Sequence, residues 1–267
     1  MKKLIYTIAT AIILSLAFTS CEDNNNNGNG NGNGNGNGNA QEFTITANNV
    51  QGSGLNRIAT VEAILFRWDD NAERERTFTV GEAPFQNRGF NMTLATEIPS
   101  LFLFPVEILE EDIGTDLDIS NRNANITIFG GEVGFVTFDG DGNRIGGIAK
   151  WARTSTASYY AFWVYADRNV TVRGNYTEWS DCCCWGDEGR SWTERYDLNL
   201  RSGWNAVFTR HERDENSSIF TVTTQRPNNV TFMWEFFDWG DWDDWSSGFS
   251  ETTRTERRSG NLIFTRR

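Results

Sequence analysis

The residues with the most chemical promise are tryptophans lying among carboxylates. The run from Trp234 to Trp245 carries Trp234, Trp239, Trp242 and Trp245 with Asp238, Asp241, Asp243 and Asp244. Alternation along a strand accounts for Phe232, Trp234 and Phe236. It does not account for Trp239, Trp242 and Trp245, which fall three apart among Gly and Asp. A second stretch sets Trp179, Trp185 and Trp192 beside Glu178, Asp181, Asp187 and Glu188. Both read as long excursions between strands. If they meet at one end of the fold, the rings can stack on the apolar face of a sugar while carboxylates accept its hydroxyl hydrogens. They can equally anchor a protein partner, where Trp is enriched. The plainer reading is a small satellite core of rings beneath the loops, because large exposed apolar patches are uncommon. The candidate ligand contacts are Trp179, Trp185, Trp239, Trp242, Trp245, Asp238 and Asp241.

The other reactive groups are few. Cys182, Cys183 and Cys184 are adjacent. In an oxidising compartment they are candidates for a disulfide, although neighbouring cysteines bridge only with a strained backbone. Free or intermolecular thiols are the alternative. A closed metal site wants about four ligands, and no metal is assigned. The one histidine, His211, lies in Arg210-His211-Glu212-Arg213-Asp214-Glu215-Asn216 and reads as a solvated residue at a hairpin tip. A single histidine leaves most triad and zinc-hydrolase chemistries hard to assemble. Asp139, Asp141 and Asn143 have the spacing of a calcium loop, but Arg144 and Lys150 occupy positions that loop reserves for Gly and Glu. That stretch reads as a hairpin turn. A paired-carboxylate glycosidase has acids enough, and nothing selects two of them. No catalytic residue and no cofactor is assigned.

The elements that must hold these residues are strands. Period-two alternation runs through Phe43-Ile45-Ala47, Phe90-Met92-Leu94, Tyr160-Phe162-Val164, Trp204-Ala206-Phe208 and Phe220-Val222, with polar turns between. The stretch Val106 to Ile113 reads as a short helix or a connector. This pattern predicts an all-β fold, an antiparallel β-sandwich. Residues 41–118 and 119–267 form either two packed β modules or one continuous sandwich.

The first forty residues carry a different message. Lys2 and Lys3 precede an uncharged, largely apolar run from Leu4 to Phe18, then Thr19, Ser20 and Cys21. Charge, apolar core and small residues are the order of a secretory signal over 1–20. The run of roughly 15 residues is short of the roughly 20 that a spanning helix needs. Asn24 to Asn39 alternate Asn and Gly with nothing to bury, a flexible linker over 21–40 reaching about 20–24 Å.

Two resemblances follow. Ser20-Cys21 resembles a bacterial lipobox, in which the cysteine is acylated; Phe18 departs from the usual Leu. Glu22-Asp23 resembles the export signal of Bacteroidetes surface lipoproteins. Ala83-Pro84-Phe85, Gly89 to Leu94, Asp167 to Val172 and Tyr196 to Asn205 resemble the sandwich of Bacteroidales surface lipoproteins. These resemblances imply a lipid-anchored protein of the outer membrane, on the cell surface in preference to the periplasmic face. They carry no activity over.

Net charge narrows the partners. Without Lys2 and Lys3 the formal charge of −12 becomes −14. That argues against nucleic acid, whose phosphates need a basic surface. The membrane is met through the lipid, and the expected role is binding or adhesion to a glycan or a protein. A glycan-binding module and a carbohydrate-active enzyme are the alternatives. Cys21→Ala should abolish fatty-acid labelling and release the protein from the membrane fraction; labelling that survives the substitution contradicts the anchor.

Overall fold

The computed structural model describes residues 42–69, 74–113, 117–130, 134–180, 190–214 and 217–239. Cys21 and the linker lie outside them. The fold is all-β, as the alternation predicts. Among the described residues one short helix, α1 (Ile108–Ile113), accompanies fifteen strands. It occupies the stretch whose periodicity left helix or connector open.

The strands form a small sheet and a large one. The small sheet pairs β1 (Phe43–Ala47) with β4 (Phe90–Leu94). The large, thirteen-stranded sheet begins with β3 (Arg74–Pro84), β2 (Thr60–Asp69), β8 (Phe135–Phe138), β9 (Arg144–Arg153) and β10 (Ala157–Ala166). It continues through β13 (Gly203–Arg213), β14 (Ser217–Thr223), β12 (Arg190–Leu200), β11 (Val170–Ser180) and β6 (Asp118–Ile119). Off this path, β15 (Met233–Asp238) pairs with β9, and β7 (Asn125–Gly130) pairs with both β10 and β5 (Phe104–Pro105). Strands on both sides of residue 118 thus share ladders, β2 with β8 and β5 with β7.

β10 is buried on both faces along nearly its whole length. Its sequence is Ala-Ser-Tyr-Tyr-Ala-Phe-Trp-Val-Tyr-Ala, and nine of its ten residues are buried. A strand with water on one face alternates apolar and polar; one covered on both faces reads as a continuous apolar run. Trp163 enters one core with Phe129, Phe135, Trp204 and Trp234, against the small sheet. Its ring stacks on Phe129 at 5.3 Å and on Trp234 at 6.0 Å. Phe162, Val164 and Ala166 enter a second core, closed by Val106 and by Leu109 of α1. The buried indole N–H of Trp204 donates to the Ala95 carbonyl at 2.7 Å, so this core carries the ring without an unmet donor.

One ladder is parallel. β12 and β13 are joined by Arg201 and Ser202 alone, yet they do not stay paired. They splay, and β14 fills the wedge, antiparallel to β13 and parallel to β12. Thr223 faces Phe208 on one side and Asp197 on the other. Alternation gives each strand a face without naming its neighbour.

The turn at Asp139–Asn143 is a hairpin turn, as its sequence indicates. The Asp139 carboxylate accepts hydrogen bonds from the N–H groups of Asp141 and Asn143 at 3.0 and 2.8 Å, and from the Asn143 amide. These bonds hold that carboxyl below its usual range, the Asn143 side chain first.

Thr137 of β8 is fully buried, and its hydroxyl has no hydrogen-bond partner among the described residues. A buried polar group left unmet costs about 1–3 kcal/mol. Thr137→Val keeps the shape and removes the hydroxyl, so it should stabilise the protein by about 1 kcal/mol in urea denaturation. A clear loss of stability would reveal a partner for that oxygen.

Candidate functional site

The wedge of β14 builds a site at one end of the curled sheet. Phe220 of β14 pairs with His211 of β13, and His211 pairs with Ser158 of β10. Trp192 of β12 lies on the other side of β14, opposite Ser218. Residues paired across strands share a face, so these side chains stand in one row. The His211 ring stacks on Phe220 at 4.0 Å with 14° between planes. Phe220 stacks in turn on Trp192 at 4.1 Å and 24°. Phe220 in the middle is 1% exposed, while His211 and Trp192 at the ends are half-buried. The Glu194 carboxylate fixes the outer ring, accepting from Trp192 Nε1 at 3.0 Å and from the Tyr196 hydroxyl at 2.7 Å.

Burial sets the electrostatics of this row. Desolvation pushes the His211 imidazole down to about 4, and the Arg213 guanidinium adds to the fall. His211 is therefore neutral at physiological pH. Its Nε2 is buried and has no hydrogen-bond partner among the described residues. Thr209, two residues earlier on the same face of β13, is 3% exposed, and its Oγ1 also lacks a partner among them. Two unmet polar atoms thus lie beside a stack of three rings. A neutral imidazole and a hydroxyl can each donate or accept, which suits ligand hydroxyls. Among the described residues no three His, Cys, Asp or Glu side chains come together as metal ligands.

The residues singled out in the sequence divide between two ends of the sheet. β11 and β12 pair as far as Ser180 opposite Arg190. Trp179 and Trp192 are therefore on strands, Trp179 opposite Ser191, and not in a long excursion. Cys182, Cys183, Cys184 and Trp185 lie outside the described residues, between the paired ends Ser180 and Arg190. That end of the hairpin is at the level where β10 begins, two residues beyond Trp192.

The second stretch leaves elsewhere. Asp238 pairs with Gly146 at the last position of β15, which runs antiparallel to β9 and so in the direction of β10. Its carboxylate side chain is 8% exposed and bonded to Arg57 at 2.8 Å, tying a 3-10 turn to the end of β15. Trp239 is half-buried and donates its backbone N–H to the Ile145 carbonyl at 3.0 Å. Asp241, Trp242 and Trp245 lie outside the described residues. The ladders therefore send the two stretches off opposite ends of the sheet.

His211 is the residue that sequence reasoning misplaced. It lies inside β13, paired on both sides, and not at a hairpin tip. The charged neighbours Arg210, Glu212 and Arg213 made the segment look like a turn. The signal that was there is the period-two series Thr209, His211, Arg213, continuing Val207 on one face. Comparison with protein families, with curated proteins and with solved structures gives no match for this chain.

Because the folded-state value of His211 lies below its unfolded value of about 6.5, the unfolded chain binds the extra proton between about 4 and 6.5. The stability contributed by neutral His211 is complete above about pH 6.5 and is lost as pH falls towards 4. His211→Phe should keep the ring stack and remove this part of the pH dependence in urea denaturation. The chain holds one histidine, so a single imidazole NMR titration reads the value directly. A midpoint near 6.5 would contradict the burial.

Proposed function

We propose that this protein is a lipid-anchored surface lipoprotein of the Bacteroidales type that binds a glycan at the hairpin end of its curled sheet. The observation that carries the reading is the pair of buried, unmet polar atoms, Thr209 Oγ1 and His211 Nε2, beside the Trp192–Phe220–His211 stack. Buried polar groups in folded proteins nearly always have partners, and each exception asks for an explanation. A sugar hydroxyl supplies both a donor and an acceptor to the pair, while sugar C–H groups pack on the rings. Trp192 and His211, the half-buried ends of the stack, are the points of entry.

Each residue has a distinct part. Glu194 orients Trp192 through its indole N–H. Phe220 spaces Trp192 from His211 and excludes water from the pair. Desolvation keeps His211 neutral, so it recognises hydroxyls without attracting anions. Acylated Cys21 and the Asn/Gly linker support the anchored half of the proposal: the leash lets the β body turn its hairpin end towards a partner.

A glycan array probed with the parent protein, Trp192→Ala, Thr209→Val and Trp239→Ala tests the reading. The parent should bind a defined subset. Thr209→Val should keep or gain stability, having lost a buried unmet hydroxyl, and should lose about ten-fold or more in affinity. Trp192→Ala should lose binding as well. Trp239→Ala, at the other end of the sheet, should bind like the parent. No binding by the parent, or unchanged binding by Thr209→Val, sinks the glycan site.

A further inference from the structure

Trp192 is not the only indole held by a carboxylate. Trp151 of β9 is half-buried, and its Nε1 donates to the Glu235 carboxylate of β15 at 2.5 Å. Trp192 Nε1 donates to Glu194 in the same way, at 3.0 Å. Neither ring belongs to a hydrophobic core. The clusters around Trp163 and around Phe162 close without them, and so does the small one of Ala152, Ala157 and Tyr159. Both carboxylates are half-buried. Burial raises the Glu235 carboxyl above its usual range, and the Trp151 N–H pulls it part of the way back. Each indole thus has its polar edge satisfied and its orientation fixed, while part of the ring still reaches solvent.

Register puts the two rings on one face. Trp151 is opposite Tyr160 of β10, and Tyr160 is opposite Thr209 of β13. Thr209 is opposite Val222 of β14, which is level with Tyr196 of β12. Residues paired in this way share a face, and Trp192, four residues before Tyr196, shares it too. Met233 is opposite Trp151, which brings Glu235, two residues on, to the same side. Met233 is 44% exposed, so this flank of the face is open to solvent. Ser158, Thr209 and His211 lie on the strands between the indoles. From β9 through β10, β13 and β14 to β12 is four ladder steps, about 19 Å across the strands. A disaccharide does not cover that distance, and a longer chain does.

We infer that Trp151 and Trp192 are two stacking positions for one linear, neutral oligosaccharide, longer than a disaccharide and lying across the strands. Glu235 is the positioning residue of the second ring. The inference rests on the glycan reading and adds to it the length of the ligand and a second contact. Thr209 Oγ1 and His211 Nε2, the unmet polar atoms, hold a hydroxyl between the rings. Trp192 adjoins those atoms through Phe220 and serves any bound sugar, whereas only a long chain reaches Trp151. Both acids are engaged by indoles, and the net charge of −12 opposes anionic sugars.

Calorimetry of the full chain with the cello-, xylo- and malto-oligosaccharides, from disaccharide to hexasaccharide, tests this. In the series that binds, affinity should rise with length beyond the disaccharide. Trp151→Ala should bind that disaccharide like the parent, which shows it is folded, and the hexasaccharide about ten-fold more weakly. Trp192→Ala should weaken both. Glu235→Leu, which frees the indole, should behave like Trp151→Ala. Glu235→Gln, whose amide oxygen still accepts the indole N–H, should behave like the parent. Hexasaccharide binding unchanged in Trp151→Ala overturns the second position and leaves the glycan reading standing. Affinity that is flat with length does the same, as does an equal loss for short and long chains, which a general structural role gives. A parent that binds none of the three series overturns the inference, while the glycan array decides the broader reading by itself.

Discussion

Everything in this fold depends on β10 being buried from both sides. Nine buried residues in a ten-residue strand mean that neither of its faces can be given up to solvent. Trp163 and its neighbours need the small β1–β4 sheet on one side, and Phe162, Val164 and Ala166 need α1 and the curled strands on the other. The ladder of β10 is shared along its length. β9 pairs with its first half and β7 with its second, while β13 runs along the whole opposite edge. One strand thus joins the two hydrophobic cores, so a change there is felt in both. This also explains why ladders cross residue 118: the first strands of the chain close the core on one side of β10 through β2 and β8.

The wedge of β14 does for the site what β10 does for the core. In an uninterrupted hairpin with Leu200 opposite Gly203, Trp192 would face His211 directly. β14 separates them and puts Phe220 between, giving a stack of three rings across three strands. The same insertion buries the face of β13 on which Thr209 and His211 lie, and so strips both of water. The desolvation that lowers the basicity of His211 and the ring stacking that holds it therefore have one origin in the chain's topology. Thr137 shows the contrasting case. Its hydroxyl is equally unmet, but it lies fully buried on the Phe135 face of β8, inside the first core.

Unmet polarity appears in two chemical forms here. At the hairpin end it is neutral, an imidazole and a hydroxyl. On the opposite face it is cationic, the Lys150 ammonium lying 5.1 Å from the centroid of the Trp234 ring. The acidic balance of the chain, 36 Asp and Glu against 24 Lys and Arg, repels polyanions.

The sequence alone determined the β class, because a side-chain period of two is a property of each strand by itself. It also determined the turn at Asp139–Asn143, whose bonds are made within five residues, and the burial of Trp234 and Phe236 on one face of β15. The secretory and linker readings rest on residues 1–40 and on nothing tertiary. What the tertiary structure decided is which strands are neighbours. Alternation records that Thr209, His211 and Arg213 can share a face, but only the β13 ladders show that this segment is a strand and not a charged turn. The tryptophan stretches look equivalent in sequence, yet register sends them to opposite ends of the sheet, because strand direction and stagger are set by partners far along the chain. Lys150 was read only as a misfit in a calcium loop. Its place over Trp234 exists only because β9 pairs with β15, more than eighty residues away.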